Sequence, residues 1–191
     1  MNTLNKHRAA ELTKQKIRSK ILLKLKIHKE EDRKRKSQII KDKLFRTLIF
    51  KKAKVVMFFL CFGGEVDTEN MIIGAKKLGK IVTVPVCEHN RIIISPCLLR
   101  HKAKFEKGPC GISMPAVKSF INVEDLDLVV IPGVAFDKKG NRLGRGRGCY
   151  DRFLTHLPKE VASIGLAFDF QILPSVPSTE SDMRVDKVIF A

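Results

Sequence analysis

The sequence predicts an α/β domain built on a mostly parallel sheet. Continuous apolar runs over residues 55–62 and 128–131, and the β-branched stretch over residues 81–86, are too short for helices, as is typical of buried strands. A helical stretch ending at Leu78 separates the first two runs. Strand, helix and strand of these lengths form a right-handed βαβ unit, in which the two strands are parallel. A further partner strand is expected over Arg91–Ser95, and residues 96–115 are expected to be loop-like. The 191 residues are enough for one domain with a substantial core.

The N-terminal quarter predicts two basic helices. Residues 1–8 are expected to be frayed, and the first helix is expected from about Ala9 to Lys26, with an apolar face formed by Ile17, Ile21, Leu22 and Leu25. Lys14 and Arg18 lie four residues apart on one side of this helix, so both cations can point at one anion, or both can be ordinary surface charges. The second helix is expected from about Lys29 to Leu48.

Most of the net charge of +17 belongs to these helices, because residues 1–54 contain 19 Lys and Arg but only five Asp and Glu. A basic segment of this kind is compatible with nucleic-acid or anionic membrane partners. The chain has no Trp and one Tyr, and therefore lacks the aromatic residues on which bases stack. We favour a solvated lysine-rich surface, and nucleic-acid binding stays open as an alternative.

Five cysteines without a CxxC pair argue against a disulfide framework or a tetrahedral zinc site, and indicate a reducing, cytoplasmic environment. The histidines form no cluster with metal-ligand spacing. The longest apolar run is far shorter than a membrane span, and the N-terminus lacks a signal-peptide pattern.

A carboxylate follows the first strand. Gly63 and Gly64 end the strand, and Glu65 comes directly after them, at the strand end where open α/β sheets bind their ligands. Glu65 can accept hydrogen bonds from the amino-pyrimidinone edge of a pterin, or it can serve the following helix as a capping charge.

The most informative stretch follows the strand at Leu128–Ile131. After a turn around Gly140, glycine and arginine alternate from Gly144 to Gly148, and a helix follows that Pro158 stops. Strand, glycine loop and helix in succession aim backbone N–H groups at an anion, and the arginines add charge, so we interpret the loop as a phosphate cradle. A basic surface loop and an arginine–glycine contact to nucleic acid are the alternatives, since the loop matches neither GxGxxG nor GxxxxGK[ST].

Residues 132–154, PGVAFDKKGNRLGRGRGCYDRFL, resemble the signature of the 5-formyltetrahydrofolate cyclo-ligase family, approximately PGxAFDxxGxRLGxGxGYYDRFL. Cys149 stands where the family has the first of two tyrosines. Three other elements are similar to family patterns: Lys14-x-x-x-Arg18, Glu65-Val66-Asp67-Thr68 and Asp182-x-x-Val185-Asp186. A family Gly-Ile-x-Glu-Pro element has Met114 here in place of its glutamate.

The resemblance implies a single three-layer domain over residues 1–191, with helices on both faces of the sheet. It implies ATP- and Mg²⁺-dependent cyclisation of 5-formyltetrahydrofolate to 5,10-methenyltetrahydrofolate through phosphorylation of the formyl oxygen, with release of ADP and phosphate. Small molecules are then the partners of a monomer, without nucleic acid or membrane. A paralogue that keeps the ATP loop but has altered or lost its folate reaction is the main alternative.

The resemblance also implies site residues. The predicted ATP contacts are Lys14, Arg18, Arg142, Gly144, Arg145, Gly146, Arg147, Gly148, Cys149 and Tyr150. The predicted folate contacts are Leu60, Glu65, Arg145, Gly146, Arg147, Gly148 and Cys149. Arg145 and Arg147 are the predicted catalytic residues, and Asp151 and Asp186 are the predicted Mg²⁺ ligands.

Overall fold

The computed structural model describes residues 3–87, 93–100, 103–108 and 113–191, with side chains described from residue 10 onward. Its helices are α1 (Thr3–Ile27), α2 (Glu30–Arg46), α3 (Leu48–Lys52), α4 (Glu69–Lys77) and α5 (Cys149–Thr155). Its strands are β1 (Val55–Met57), β2 (Ile81–Cys87), β3 (Ile94–Leu98), β4 (Phe105–Lys107), β5 (Ser113–Pro115), β6 (Leu128–Ile131), β7 (Ala135–Asp137), β8 (Arg142–Leu143), β9 (Ala162–Ala167), β10 (Ile172–Leu173) and β11 (Lys187–Phe190).

Six strands form the central sheet in the order β11-β9-β6-β1-β2-β3. Every neighbouring pair from β11 to β2 is parallel, and β3 pairs antiparallel with β2 at the edge. Strands β10, β7 and β8 form a separate small sheet, and β4 pairs with β5. The predicted α/β class with a mostly parallel sheet is confirmed, including the βαβ unit of β1, α4 and β2.

The residues of β6 show how the sheet separates two hydrophobic layers. Leu128 and Val130 pack in the cluster that contains the inward faces of α1, α2 and α4. Val129 and Ile131 point the other way and pack with Phe153 of α5. Because successive side chains of a strand alternate between faces, one continuous apolar strand serves both layers. The predicted arrangement with helices on both faces is therefore confirmed.

Several element boundaries differ from the predictions. Helix α1 begins at Thr3 rather than Ala9, so residues 3–8 continue the helix, while residues 1–2 lie outside the described ranges. Strand β1 ends at Met57 although the apolar run continues to Phe62. Phe58 and Phe59 remain buried beyond the end of β1, and the Phe58 N–H still donates to the Thr83 carbonyl of β2 at 3.0 Å, so the side chains do not mark where the strand ends.

The prediction of a loop over residues 96–115 was wrong where the end of β3, all of β4 and all of β5 lie. Strand β3 occupies Ile94–Leu98, three residues later than expected for its start at Arg91, which lies outside the described residues. Pro96 sits opposite Pro85 in this edge pair, a position where a missing N–H is tolerated. All three residues of β4 are exposed, so no apolar alternation marks this strand. Among the described residues, no helix is both long and apolar enough to cross a membrane.

Candidate active site

The loop at residues 144–148, here called the glycine loop, connects β8 to α5 near the carboxyl ends of the parallel strands. Gly146 and Gly148 have φ values of 103° and 63°, a backbone conformation that residues with a side chain rarely adopt. A Cβ at Gly144 would lie 2.9 Å from the Arg142 guanidinium. Glycines at these three positions therefore let the loop form, and Arg145 and Arg147 between them are exposed.

A second loop meets the glycine loop from the end of β1. We call residues 62–65 the Glu65 turn, since Gly63 and Gly64 have positive φ values of 61° and 84°. Arg145 Nε and Nη2 donate to Glu65 Oε1 at 3.2 and 2.9 Å, and Nη2 also donates to the Phe62 carbonyl at 3.1 Å. The Arg145 guanidinium lies 5.1 Å from the centre of the Phe62 ring, a cation–π distance. The structure thus brings Glu65 and Arg145, predicted from distant parts of the chain, into contact.

Helix α1 borders the glycine loop on another side. Arg18 Nε donates to the Gly144 carbonyl at 3.0 Å, and Arg18 Nη1 forms an ion pair of 2.8 Å with Glu11. Lys14, one turn earlier, is buried and lies 2.5 Å from Asp182 Oδ2. Of the two predicted cations, Arg18 therefore contacts the loop, whereas the contact of Lys14 is with a carboxylate of the C-terminal segment.

Beneath the glycine loop, a buried ion pair joins β8 to α5. Arg142 Nη2 donates to Asp151 Oδ1 at 2.7 Å, and the Arg142 side chain is only 3% exposed. Its guanidinium lies 5.7 Å from the centre of the Tyr150 ring. The Met183 N–H also donates to Asp151 Oδ1, at 3.2 Å. This pair fixes where the loop leaves β8 and where α5 begins, so Arg142 contributes to the loop from inside.

Asp186, the second predicted metal ligand, is tied to β9. Its Oδ2 accepts hydrogen bonds from the backbone N–H and the hydroxyl of Ser163, both at 2.7 Å. Asp186 also lines a surface cavity of about 230 Å³, together with Lys187 and Phe190. The described part of the chain has no group of three or more His, Cys, Asp or Glu side chains arranged to hold a metal ion.

Burial sets the ionisation of two groups here. It raises the pKa of the Glu65 carboxyl, and the nearby Arg145 guanidinium only partly offsets this effect. Burial also raises the pKa of the Tyr150 phenol, and the negative charge of Glu65 acts in the same direction. Tyr150 is therefore neutral at physiological pH and available as a hydrogen-bond donor.

The predicted residues not described above are Leu60, which precedes the Glu65 turn, Arg147 in the glycine loop and Cys149 directly after it. Leu60 is half-buried and packs against the main core between β1 and the Glu65 turn. Cys149 is the first residue of α5, half-buried against the second core cluster. The Arg147 carbonyl accepts a hydrogen bond of 2.5 Å from Arg152, which closes the end of the glycine loop onto α5.

Three residues that hold this site together are not among the predicted site residues. Asp182 pairs with Lys14, and Phe62 lies under Arg145. Asp137 is buried and accepts four hydrogen bonds, from the N–H groups of Lys139, Asn141 and Val176 and from the Asn141 amide. The Asp137 carboxylate before a glycine turn is a recognisable Asx-turn signal in the sequence, whereas the other two contacts depend on the fold.

Comparison with known proteins identifies relatives over nearly the whole chain. A sequence model of the 5-formyltetrahydrofolate cyclo-ligase family matches residues 10–191. A mouse (Mus musculus) protein named 5-formyltetrahydrofolate cyclo-ligase is 31% identical over 185 residues, which cover 91% of each chain. An Escherichia coli K12 protein of the same name is 32% identical over 142 residues, or 72% of this chain and 78% of that one.

Solved structures show the same architecture. The NMR structure of 5,10-methenyltetrahydrofolate synthetase from Aquifex aeolicus superimposes with a TM-score of 0.81 at 33% identity, covering 93% of this chain and 89% of that one. A 5,10-methenyltetrahydrofolate synthetase from Mycoplasma pneumoniae gives a TM-score of 0.76 at 23% identity, covering 92% and 97% of the two chains, and supports the fold alone.

Proposed function

The chain belongs to the 5-formyltetrahydrofolate cyclo-ligase family, the ATP-dependent ligases that convert 5-formyltetrahydrofolate to 5,10-methenyltetrahydrofolate, and we propose that this reaction takes place where the glycine loop meets the Glu65 turn. One observation carries the proposal. The glycine loop contacts Arg18 of α1 and Glu65 beyond β1, so a predicted phosphate cradle, a predicted phosphate-binding cation and a predicted pterin acceptor share one location.

The chemistry requires that a poor leaving group be activated. The formyl oxygen of the substrate attacks the γ-phosphorus of ATP, and ADP departs. N10 then attacks the activated carbon and loses its proton, the new C–N bond closes the ring, and the former formyl oxygen leaves as part of inorganic phosphate. The protein contributes mainly orientation and charge neutralisation, as in other phosphoryl transfers.

Each part of the site has a role in this proposal. Backbone N–H groups of Gly144, Gly146 and Gly148 bind phosphate oxygens, and Lys14 and Arg18 neutralise the nucleotide's charge. Arg145 and Arg147 act on the transferring phosphoryl group, because they are the exposed cations of the loop. Arg142 orients the loop and Asp151 from below. Leu60 and Cys149 line the folate side, and Tyr150, kept neutral by burial, serves as a donor.

We also propose that Mg²⁺ assists the reaction by neutralising phosphate charge. Mg²⁺ is often held by one or two carboxylates, with phosphate oxygens and waters completing its octahedron. The hydrogen bonds of Asp151 go to Oδ1 and those of Asp186 to Oδ2. Among the described residues, the second oxygen of each carboxylate thus has no hydrogen bond and fits a metal bound chiefly through the nucleotide.

The test is an assay of the purified protein with Mg-ATP and 5-formyltetrahydrofolate, in which the absorbance of the methenyl product is followed. We expect product only when ATP and Mg²⁺ are both present, and an excess of EDTA should stop it. Nucleotide binding without methenyl formation would instead indicate a paralogue that has lost the folate reaction. Size-exclusion chromatography with light scattering tests the further proposal that the enzyme is a monomer.

A further inference from the structure

Two groups that are both assigned to ligands contact each other in this structure. Arg145 donates two N–H groups to one oxygen of Glu65, at 3.2 and 2.9 Å. The Glu65 carboxylate, assigned to a pterin, therefore already accepts three N–H donors from the protein, because the Phe62 N–H also donates to Glu65 Oε2 at 3.2 Å. Arg145, assigned to the transferring phosphoryl group, is held at the folate side of the loop.

The guanidinium and the pterin edge are chemically similar at the point of contact. Each presents two adjacent N–H donors in a plane, which is the pattern that a carboxylate accepts. A Cβ added at Gly63 would lie only 3.0 Å from Arg145 Nη2, so the guanidinium fills the space over the Glu65 turn. The Glu65 carboxylate can therefore accept the paired N–H donors of Arg145 or those of the pterin edge, but it cannot accept both pairs at the same position.

We propose, on the basis of the proposed function above, that Glu65 is also a positioning residue for Arg145. It holds the guanidinium away from the phosphate site until the pterin edge takes its place, and the released Arg145 then turns toward the γ-phosphoryl group. Folate binding thereby completes the cation set of the ATP site. As a result, all the cations of the ATP site surround the nucleotide only when 5-formyltetrahydrofolate, which accepts the phosphoryl group, is bound.

The local structure suits such an exchange. The Glu65 side chain is 11% exposed and that of Arg145 is 37% exposed. The carboxylate is therefore nearly buried, and the arginine covers it on the solvent side. Glycines precede and follow Arg145, and side chains bond the loop backbone on either side of it, Arg18 at the Gly144 carbonyl and Arg152 at the Arg147 carbonyl, so the loop ends are held while the Arg145 side chain can turn between them. The Phe62 ring and carbonyl hold the resting guanidinium in place.

Binding of a non-hydrolysable ATP analogue with Mg²⁺ tests the exchange. In the wild-type protein, 5-formyltetrahydrofolate should tighten the Kd of the analogue about tenfold, and the analogue should tighten folate binding by the same factor. Arg145→Gln should abolish this coupling. Absence of coupling in the wild type, or coupling that persists in Arg145→Gln, would overturn the proposal.

A second variant tests Glu65 directly. Without folate, Glu65→Gln should bind the analogue about fivefold more tightly than the wild type, because the uncharged amide holds the guanidinium less strongly. Glu69→Gln removes the same charge from an exposed residue nearby and should give a much smaller change. An equal gain in Glu69→Gln, or a gain that survives in Glu65→Gln/Arg145→Gln, would contradict the mechanism.

These outcomes are separate from those of the proposed function. If the wild type forms methenyl product but shows no coupling between its two ligands, the exchange is rejected and the ligase reaction stands. If it forms no product yet the folate and the analogue still couple through Arg145, the assigned reaction fails and the exchange stands.

Discussion

Lys14 of α1 and Asp182 near the C-terminus form an ion pair with 2.5 Å between Nζ and Oδ2, although 168 residues separate them in the chain. The Lys14 side chain is 6% exposed and that of Asp182 is 21% exposed. Thr179 donates to the same carboxylate oxygen through its N–H and its hydroxyl. This contact fixes the N-terminal helix to the segment that precedes β11.

Asp182→Asn should lower the free energy of unfolding by about 1–3 kcal/mol at neutral pH, because it leaves the buried Lys14 ammonium without a counter-charge. Burial acts to raise the pKa of Asp182, but the bonds from Lys14 and Thr179 outweigh it and lower the pKa. A carboxylate with a depressed pKa stabilises the fold above its unfolded value of about 4, and this contribution is lost as the pH falls through the folded pKa.

Urea unfolding of both proteins between pH 3 and 8 measures this effect. The difference between wild type and Asp182→Asn should shrink below about pH 4. Glu180→Gln, at an exposed neighbouring residue, is the matched control and should change stability by less than about 0.5 kcal/mol. A difference that is independent of pH would show that the charge of Asp182 is not responsible.

Arg145→Ala should reduce the rate of methenyl formation about 100- to 1,000-fold, which is typical of removing a charge that stabilises a transition state. The protein should still fold, since the Arg145 side chain lies at the surface, 37% exposed, and is not part of the hydrophobic core. The measurement is kcat with saturating ATP and folate, with Lys20→Ala on the outer face of α1 as control. An unchanged kcat would remove Arg145 from the chemical step.

Gly140→Ala should be strongly destabilising. The added Cβ would lie 2.2 Å from the Val185 carbonyl oxygen, and Gly140 has a φ of 84°. Overpacking against backbone together with left-handed strain should cost about 2–4 kcal/mol in thermal or urea unfolding. The same change at Gly79 adds comparable strain, with a φ of 76°, but meets no atom within 4 Å.

Gly79→Ala is therefore the control for Gly140→Ala and should lose only about 1–2 kcal/mol. Equal losses in the two variants would mean that the contact with Val185 is relieved at little cost. A larger loss of stability at Gly140 would show that the turn must leave room for the backbone of Val185, whose N–H also donates to the Gly140 carbonyl at 3.0 Å.

Glu65→Gln should be as stable as the wild type or more stable at neutral pH. Burial raises the pKa of this carboxyl despite Arg145, so the native state binds its proton more tightly than the unfolded state does. The stability that it contributes is present below the unfolded pKa of about 4.3 and is lost as the pH rises through the folded pKa. The stability of the wild type relative to Glu65→Gln should consequently fall as the pH rises above about 4, as measured by unfolding curves. A relative gain with rising pH would show that Arg145 overcomes the cost of burial.

Local patterns predicted much of the fold. Strand β6 begins and ends at the predicted residues, because an apolar β-branched run closed by Pro132-Gly133 has one simple interpretation. The glycine loop and helix α5 follow from the same stretch. Strand β4 was missed because all three of its residues are exposed, and β5 because its three residues, of which Met114 and Pro115 are buried, are too few to show an alternating pattern. The early end of β1 was missed because buried Phe58 and Phe59 have the same apolar character inside and outside a ladder.

The sequence by itself determined the family, the α/β class and the residue types of the site, because these depend on short-range spacing that a motif records. Only the tertiary structure decided which of those residues face each other. The pairing of Lys14 with Asp182, of Arg142 with Asp151 and of Arg145 with Glu65 depends on how distant segments meet around the sheet. The physical reason is that a charge is visible in the sequence, whereas its partner is selected by burial, which penalises any charge left unpaired.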